Sequence, residues 1–252
     1  MSGTSDARSS GLPVGSQFVT THWSVVLRAA RGEDAQAEEA LARLCRVYWY
    51  PLYSFIRRQG HRPPDAEDLT QEFFARLLER RFLAAIQPER GKFRSFLLMA
   101  LKRFLAKEWE RAHALKRGGA AHVLAIDVVG AETRFEAEAT HDLPPDLAFD
   151  RQWASTLLEQ AMARLREEYA DSGRGGIFTR LKGALSREKG ADSYATVGTT
   201  LGMSEAAVKM AVQRLRRRYR EILREEIAQT LADSEGVEEE LRHLFAAFSS
   251  SA

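Results

Sequence analysis

Residues 201–220 read LGMSEAAVKMAVQRLRRRYR. At 100° per residue, Val208, Val212, Leu215 and Tyr219 fall on one face of a helix, while Ala206, Met210, Gln213 and Arg217, with Lys209, Arg216 and Arg220 beside them, fall on the other. Just upstream, Tyr194, Val197 and Leu201 form an i, i+3, i+7 stripe. Gly202 stands where a helix C-cap residue belongs, and Ser204 is placed to cap the following helix. A helix, a tight glycine turn and a capped helix are the parts of a helix-turn-helix, whose second helix enters the major groove of DNA with its N-terminal half reading bases. From Ser204 to Arg220 there are six basic residues and one acid, a net charge of +5. If about five cations neutralise phosphates, DNA affinity falls with salt at a log–log slope of about −4 to −5. A merely solvated basic face is the alternative, and it leaves the turn and the cap unexplained.

The whole chain hides this asymmetry. It has 252 residues, 37 Lys and Arg against 35 Asp and Glu, and a formal charge of +2. With 44% apolar and 29% charged residues it reads as a globular protein rather than a disordered one. The lone cysteine, Cys45, excludes an internal disulfide and a cysteine-rich zinc cluster. The expectation is therefore a cytoplasmic protein without a metal site or cofactor. The N-terminal MSGTSDARSSGLPVGSQ has no apolar core of a signal peptide, and no apolar run approaches the roughly 18 residues that span a bilayer. The six histidines are scattered and no nucleophile, base and orienter fall together, so no enzyme is expected.

Periodicity predicts an all-α fold of two helical domains joined by a linker. Residues 1–17 form a tail and 18–118 a first domain. It starts with Trp23, Val26, Leu27 and Ala30, then a helix carrying Leu41, Leu44, Tyr48, Leu52, Phe55 and Ile56, which Pro51 should kink. A third helix runs from Ala66 to about Arg80 behind the cap residue Asp65, and a fourth from Phe93 to about Lys116. Residues 119–149, with small residues, acids and Pro144-Pro145, read as a linker in which HVLAIDVV (122–129) is open between strand and extended chain. The second domain, 150–232, contains the helix-turn-helix. An extension, 233–252, carries the amphipathic stripe Val237, Leu241, Leu244, Phe245 and Phe248, which must bury against its own domain, the first domain or another protein.

Two further stretches carry chemistry. Residues 92–117 hold eight basic residues and two acids, a second cationic helix. Phe93, Phe96, Phe104 and Trp109 interleave with those cations, and an aromatic beside positive charge can stack on an unpaired base for about 1–3 kcal/mol. Phe96 and Phe104 read as core residues; Phe93 and Trp109 are open between core and stacking. DAEDLTQEFF (65–74) has the opposite sign. Acids near a helix start are favoured by the dipole alone, by about 0.3–1 kcal/mol each. Asp68, Gln71, Glu72 and Phe74 nevertheless make an acidic and aromatic face suited to a basic protein partner. Residues 221–240 carry eight acids against Arg224.

A D-A-E-D-L-T-Q-E-F helix, a basic-aromatic helix opening G-K-F-R-S-F-L, a linker and a C-terminal helix-turn-helix together resemble the extracytoplasmic-function class of bacterial RNA polymerase sigma factors, over about residues 20–230. The resemblance implies a region 2 domain over 20–117 and a region 4 domain over about 150–230. It implies that Asp65, Asp68, Leu69, Gln71, Glu72 and Phe73 lie on the helix that docks on the β′ subunit of core polymerase, with the β subunit a further contact. Residues 81–93 would receive a flipped base of the minus-ten element. Lys92, Phe93, Arg94, Lys102, Arg103, Lys107, Trp109 and Arg111 would contact that strand, and Ser204, Ala207, Lys209, Met210, Gln213, Arg214 and Arg217 would read the minus-thirty-five element. The partners implied are core RNA polymerase and promoter DNA, and the class admits an anti-sigma factor or other regulator.

Met210-Ala211 stands where the family often has Ser-Arg, so the promoter sequence is not carried over. Gly198 stands where a small helix former is usual, at a cost of about 0.5–1 kcal/mol relative to Ala. A helix-turn-helix regulator that binds duplex DNA without a polymerase is the rival reading, and the acidic 65–74 helix argues against it.

Overall fold

The computed structural model describes residues 37–78, 92–114, 130–137, 143–186, 193–231 and 236–249. Ten helices occur among them: α1 (Ala37–Arg58), α2 (Pro63–Leu78), α3 (Phe93–Ala114), α4 (Ala131–Ala137), α5 (Pro145–Asp171), α6 (Gly175–Leu181), α7 (Gly183–Ser186), α8 (Tyr194–Leu201), α9 (Glu205–Ala228) and α10 (Val237–Ser249). No strand forms among the described residues; a lone antiparallel bridge joins Lys92 to Leu231. The fold is all-α. The expected tail 1–17, the first helix around Trp23–Ala30, the loop at 81–91 and the patch 122–129 lie outside the described residues.

The second half of α1 is apolar right round its circumference: Val47, Tyr48, Trp49, Tyr50, Leu52, Tyr53, Phe55 and Ile56 are all buried. A helix without a polar face has to be surrounded, and α1 is enclosed by α2, α3, α4 and α5. Pro51 lies within the helix rather than ending it. On one side Phe73 and Phe74 of α2 close the core, with the Phe73 ring 5.7 Å from Phe104 of α3. On another lies α5, whose Pro145 sits at the start, where a missing donor is harmless. Phe149, Trp153, Ala154, Leu157, Ala161 and Leu165 line its buried side. Trp153 Nε1 donates to the Tyr48 hydroxyl at 3.1 Å in full burial. Burial drives the Tyr48 phenol pKa far above its ordinary value, so the hydroxyl stays neutral in the core.

Helix α5 carries the C-terminal half, touching α9, α10 and α6. One hydrophobic core therefore runs through both halves of the chain. Within the predicted linker, residues 131–137 form a helix. This seven-residue α4 presses Phe135 against α1, where the Arg57 guanidinium lies 4.8 Å from the ring centroid. Arg57 bonds Glu132 at 2.7 Å, and this pair holds the Glu132 carboxyl below its ordinary pKa. A segment of two turns is too short to show periodicity in the sequence.

The glycine at 198 has a steric reason. Helix α8 ends at Gly202, in the left-handed conformation with φ 65°, and its N–H returns to the Gly198 carbonyl. Met203 N also donates to that carbonyl, at 2.9 Å. A Cβ added at Gly198 would stand 2.6 Å from the Met203 carbonyl oxygen, a backbone atom within the turn. Helix propensity alone predicts that Gly198→Ala stabilises by about 0.5–1 kcal/mol; the close approach predicts a loss of about 1–3 kcal/mol. Urea denaturation of the two proteins decides the sign.

Candidate nucleic-acid interface

Each helix of the α8–α9 pair starts on a serine cap, and Gly202 ends α8. Ser193 accepts from Thr196 N and Ser204 accepts from Ala207 N at 3.2 Å, fixing where each helix begins. The faces of α9 divide as the 100° spacing predicts. Val208, Val212 and Leu215 are buried, while Ser204, Ala206, Lys209, Met210, Gln213, Arg214, Arg217 and Arg220 are exposed and Ala207 is half-buried. Lys209 is held by Glu205 at 2.7 Å, one turn away.

Two of the six basic residues counted between Ser204 and Arg220 are structural. Arg216 donates to the Ala184 carbonyl at 2.8 Å. Arg218 makes a forked pair with Glu168 of α5, both bonds at 2.8 Å, and adds Glu225 and Glu221 at 3.1 and 3.3 Å. Tyr219 donates to the Leu158 carbonyl, and burial pushes its phenol up to about 12. Arg218 and Tyr219 seat α9 on α5, Arg216 ties it to α7, and Lys209, Arg214, Arg217 and Arg220 are left as the cations of the exposed face.

Helix α3 divides differently from its expectation. Lys102, Arg103, Lys107 and Arg111 are exposed, and Trp109 is 64% exposed. Arg103, Lys107 and Arg111 rim a groove of about 590 Å³ floored by Phe73, Phe96, Met99 and Phe104. The helix start is closed. Phe93 is fully buried, its ring edge-on to Tyr48 at 5.1 Å, so of the two aromatics left open it belongs to the core. Arg94 is buried against Trp153, 4.9 Å from the ring centroid, and pairs with Asp150 of α5 and Glu240 of α10. Lys92 meets Glu239 at 2.6 Å and Glu240 at 3.2 Å. In this arrangement Lys92, Phe93 and Arg94 are not presented to a ligand.

On α2, Asp68 is exposed, Gln71 and Glu72 are half-buried, and Asp65 is half-buried beside Arg62 at 3.0 Å. Gln71 donates to Glu67 at 3.3 Å and Glu72 pairs with Arg76. Phe73 is buried and Leu69 packs on the core, so both hold the helix in place rather than face outward. Phe74, expected on the exposed face, is fully buried instead. Phe74 follows Glu72 by two residues, about 200° round the helix, which turns it away from the acidic side and into the core. Asp65, Asp68 and Leu69 share a cavity of about 730 Å³ with Lys102 and Trp109 of α3, so an acidic wall faces a cationic and aromatic one.

Sequence reasoning missed the partners of α3. Asp146 holds Lys102 at 2.7 Å, and Asp150, Glu239 and Glu240 close its start. Their pairing spans tens to more than a hundred residues, and only the clustering of three acids at 238–240 signalled it. Among the described residues no group of His, Cys, Asp and Glu could hold a metal ion. No helix there is long and apolar enough to cross a membrane.

Residues 48–114, from α1 through α3, match the family model of Sigma-70 region 2. No curated protein and no solved structure matches the chain. The match covers 67 of the chain's 252 residues and makes the α1–α3 segment similar to region 2 of sigma-70 factors. The matched segment contains both the acidic α2 and the cationic α3.

Two outcomes test the division of cations on α9. Arg217→Ala in the full chain should flatten the salt dependence of duplex DNA binding by about 0.9 in log–log slope, and Arg218→Ala should leave the slope unchanged while lowering Tm. Glu168, beside Arg218, has its carboxyl held below the ordinary range by that guanidinium. Its contribution is present above the unfolded pKa of about 4.3 and disappears as pH falls through the lower folded value. Glu168→Gln should therefore lower Tm at neutral pH and reduce the fall in Tm between about pH 5 and pH 3, read by thermal melts across that range.

Proposed function

We propose that the protein is a sigma factor of the extracytoplasmic-function class, which docks on core RNA polymerase through α2 and engages promoter DNA through α3 and the exposed face of α9. It acts by binding, without a reaction of its own. The observation that carries this reading is the separation of charge within the segment that matches Sigma-70 region 2: Asp68 and Glu72 on the outer side of α2, Arg103, Lys107 and Arg111 around the groove of α3. The acids suit a basic protein surface. The cations, over an aromatic floor, suit a single strand with its bases unstacked.

In this reading Asp65, Asp68, Gln71 and Glu72 contact the polymerase, and Leu69 and Phe73 set the angle at which they are presented. Lys102, Arg103, Lys107, Trp109 and Arg111 contact the minus-ten strand. Ser204, Ala207, Lys209, Met210, Gln213, Arg214 and Arg217 read the minus-thirty-five element, with Ser204 and Ala207 fixing the helix start and the remainder facing the groove. Met210, 53% exposed, gives that surface an apolar contact suited to a thymine methyl.

The test is reconstitution with bacterial core polymerase. The full chain should form a complex with it and give promoter-dependent transcripts. Asp68→Lys, at an exposed position, should weaken core binding at least tenfold, about 1.4 kcal/mol, with Tm and duplex DNA affinity unchanged. A chain that binds duplex DNA and ignores core polymerase would be a helix-turn-helix regulator instead.

A further inference from the structure

Two of the three acids that close the start of α3 come from the C-terminal extension; the third, Asp150 of α5, pairs with Arg94. Glu239 and Glu240, in the first turn of α10, reach Lys92 Nζ, and Glu240 also reaches Arg94 at 3.4 Å. Helix α10 is attached to its own half by apolar contact. It lies on α5 and α9, with Leu244 buried and Val237, Leu241 and Phe248 packed on the core. Its side-chain reach across to α3 is ionic.

That ionic seam is incompletely satisfied. Glu240 is 1% exposed, yet its Oε2 has no hydrogen-bond partner, nor has Arg94 Nε. A buried ion pair with idle donors and acceptors is commonly worth less than an apolar contact of the same volume. The helix dipole favours acids in a first turn, but it does not place them in register with Lys92 and Arg94. A phosphate offers these cations the same charge and more acceptors than one glutamate. The contact is thus suited to exchange for an external anion.

We propose that the first turn of α10 is an autoinhibitory latch. It occupies Lys92, and shares Arg94 with Asp150 of α5, in place of nucleic-acid phosphate, and a DNA strand engages Lys92 at the start of α3 only after the latch withdraws. This rests on the reading of α3 as the strand-contacting helix. Release is local: the α1–α5 core with its Tyr48–Trp153 bond stays intact. What parts is the turn of α10 and the neighbouring segment, where Phe93 N donates to the Thr230 carbonyl at 3.2 Å.

The test uses the full chain with Glu239→Gln and Glu240→Gln. Its control is Glu136→Gln with Glu238→Gln, which removes the same charge on α4 and on the Arg224 side of α10, where Glu238 meets Arg224 at 2.7 Å. Amide hydrogen exchange at residues 93–100 should quicken about tenfold in the latch variant, with residues 46–56 unchanged. Fluorescence anisotropy with a labelled single-stranded oligonucleotide of about 20 nucleotides should show affinity improved about fivefold, as expected when a larger fraction of the chain is binding-competent. The control should change neither. Unchanged exchange at 93–100 would overturn the latch. So would loss of protection at 46–56, which would make α10 a structural prop, or an equal affinity gain in the control. Faster exchange without any gain for the oligonucleotide would instead overturn the nucleic-acid role of α3, and the inhibition with it.

Discussion

The packing of α1 against α5 is the constraint on which the rest of the structure depends. Helix α1 cannot face water on any side of its second half, so it draws elements from the whole length of the chain around itself. The Trp153 indole and the Tyr48 hydroxyl satisfy one another inside that interface, which fixes the rotation of α5 as well as its position. With that rotation set, Asp150 faces Arg94. Glu168 faces Arg218, and the apolar side of α10 has a surface to lie on. The placement of the charged groups follows from an apolar contact.

A chain with nearly balanced charge can still present strongly one-signed surfaces, because folding spends its cations unevenly. Arg57, Arg94, Arg216 and Arg218 are each tied into the interior or into a neighbouring element. Arg103, Lys107 and Arg217 remain at the surface. A guanidinium with a forked carboxylate partner is a structural rivet, and one pointing to water is available to a phosphate. A linear charge count does not separate the two. The same holds for the acids: Asp68 is open to solvent, whereas Glu240 lies in the core.

The closed start of α3 gives the C-terminal extension a place in the fold. A solely structural helix would need only Leu244 and its apolar neighbours. The acids of its first turn bring residues 239 and 240 to Lys92 and Arg94, the cations that open α3. Residues that the family resemblance assigns to the nucleic acid are thereby held against the protein itself.

Much of this was legible in the residues alone. The apolar spacing of α9, the cap at Ser204 and the glycine at 202 define a helix, a turn and a helix without reference to anything distant, since each rests on contacts within four residues. The acidic and basic helices were visible for the same reason. Three things were not. The helix within the linker spans only two turns, too few for a repeat to stand out. Gly198 read as a weakness until the Met203 carbonyl was seen beside it. The sealing of Lys92 and Arg94 joins residues as many as 147 positions apart. Local spacing determined the helices, their faces and their caps. Only the tertiary structure decided which charged residues reach solvent, because that depends on which faces the α1–α5 core brings together.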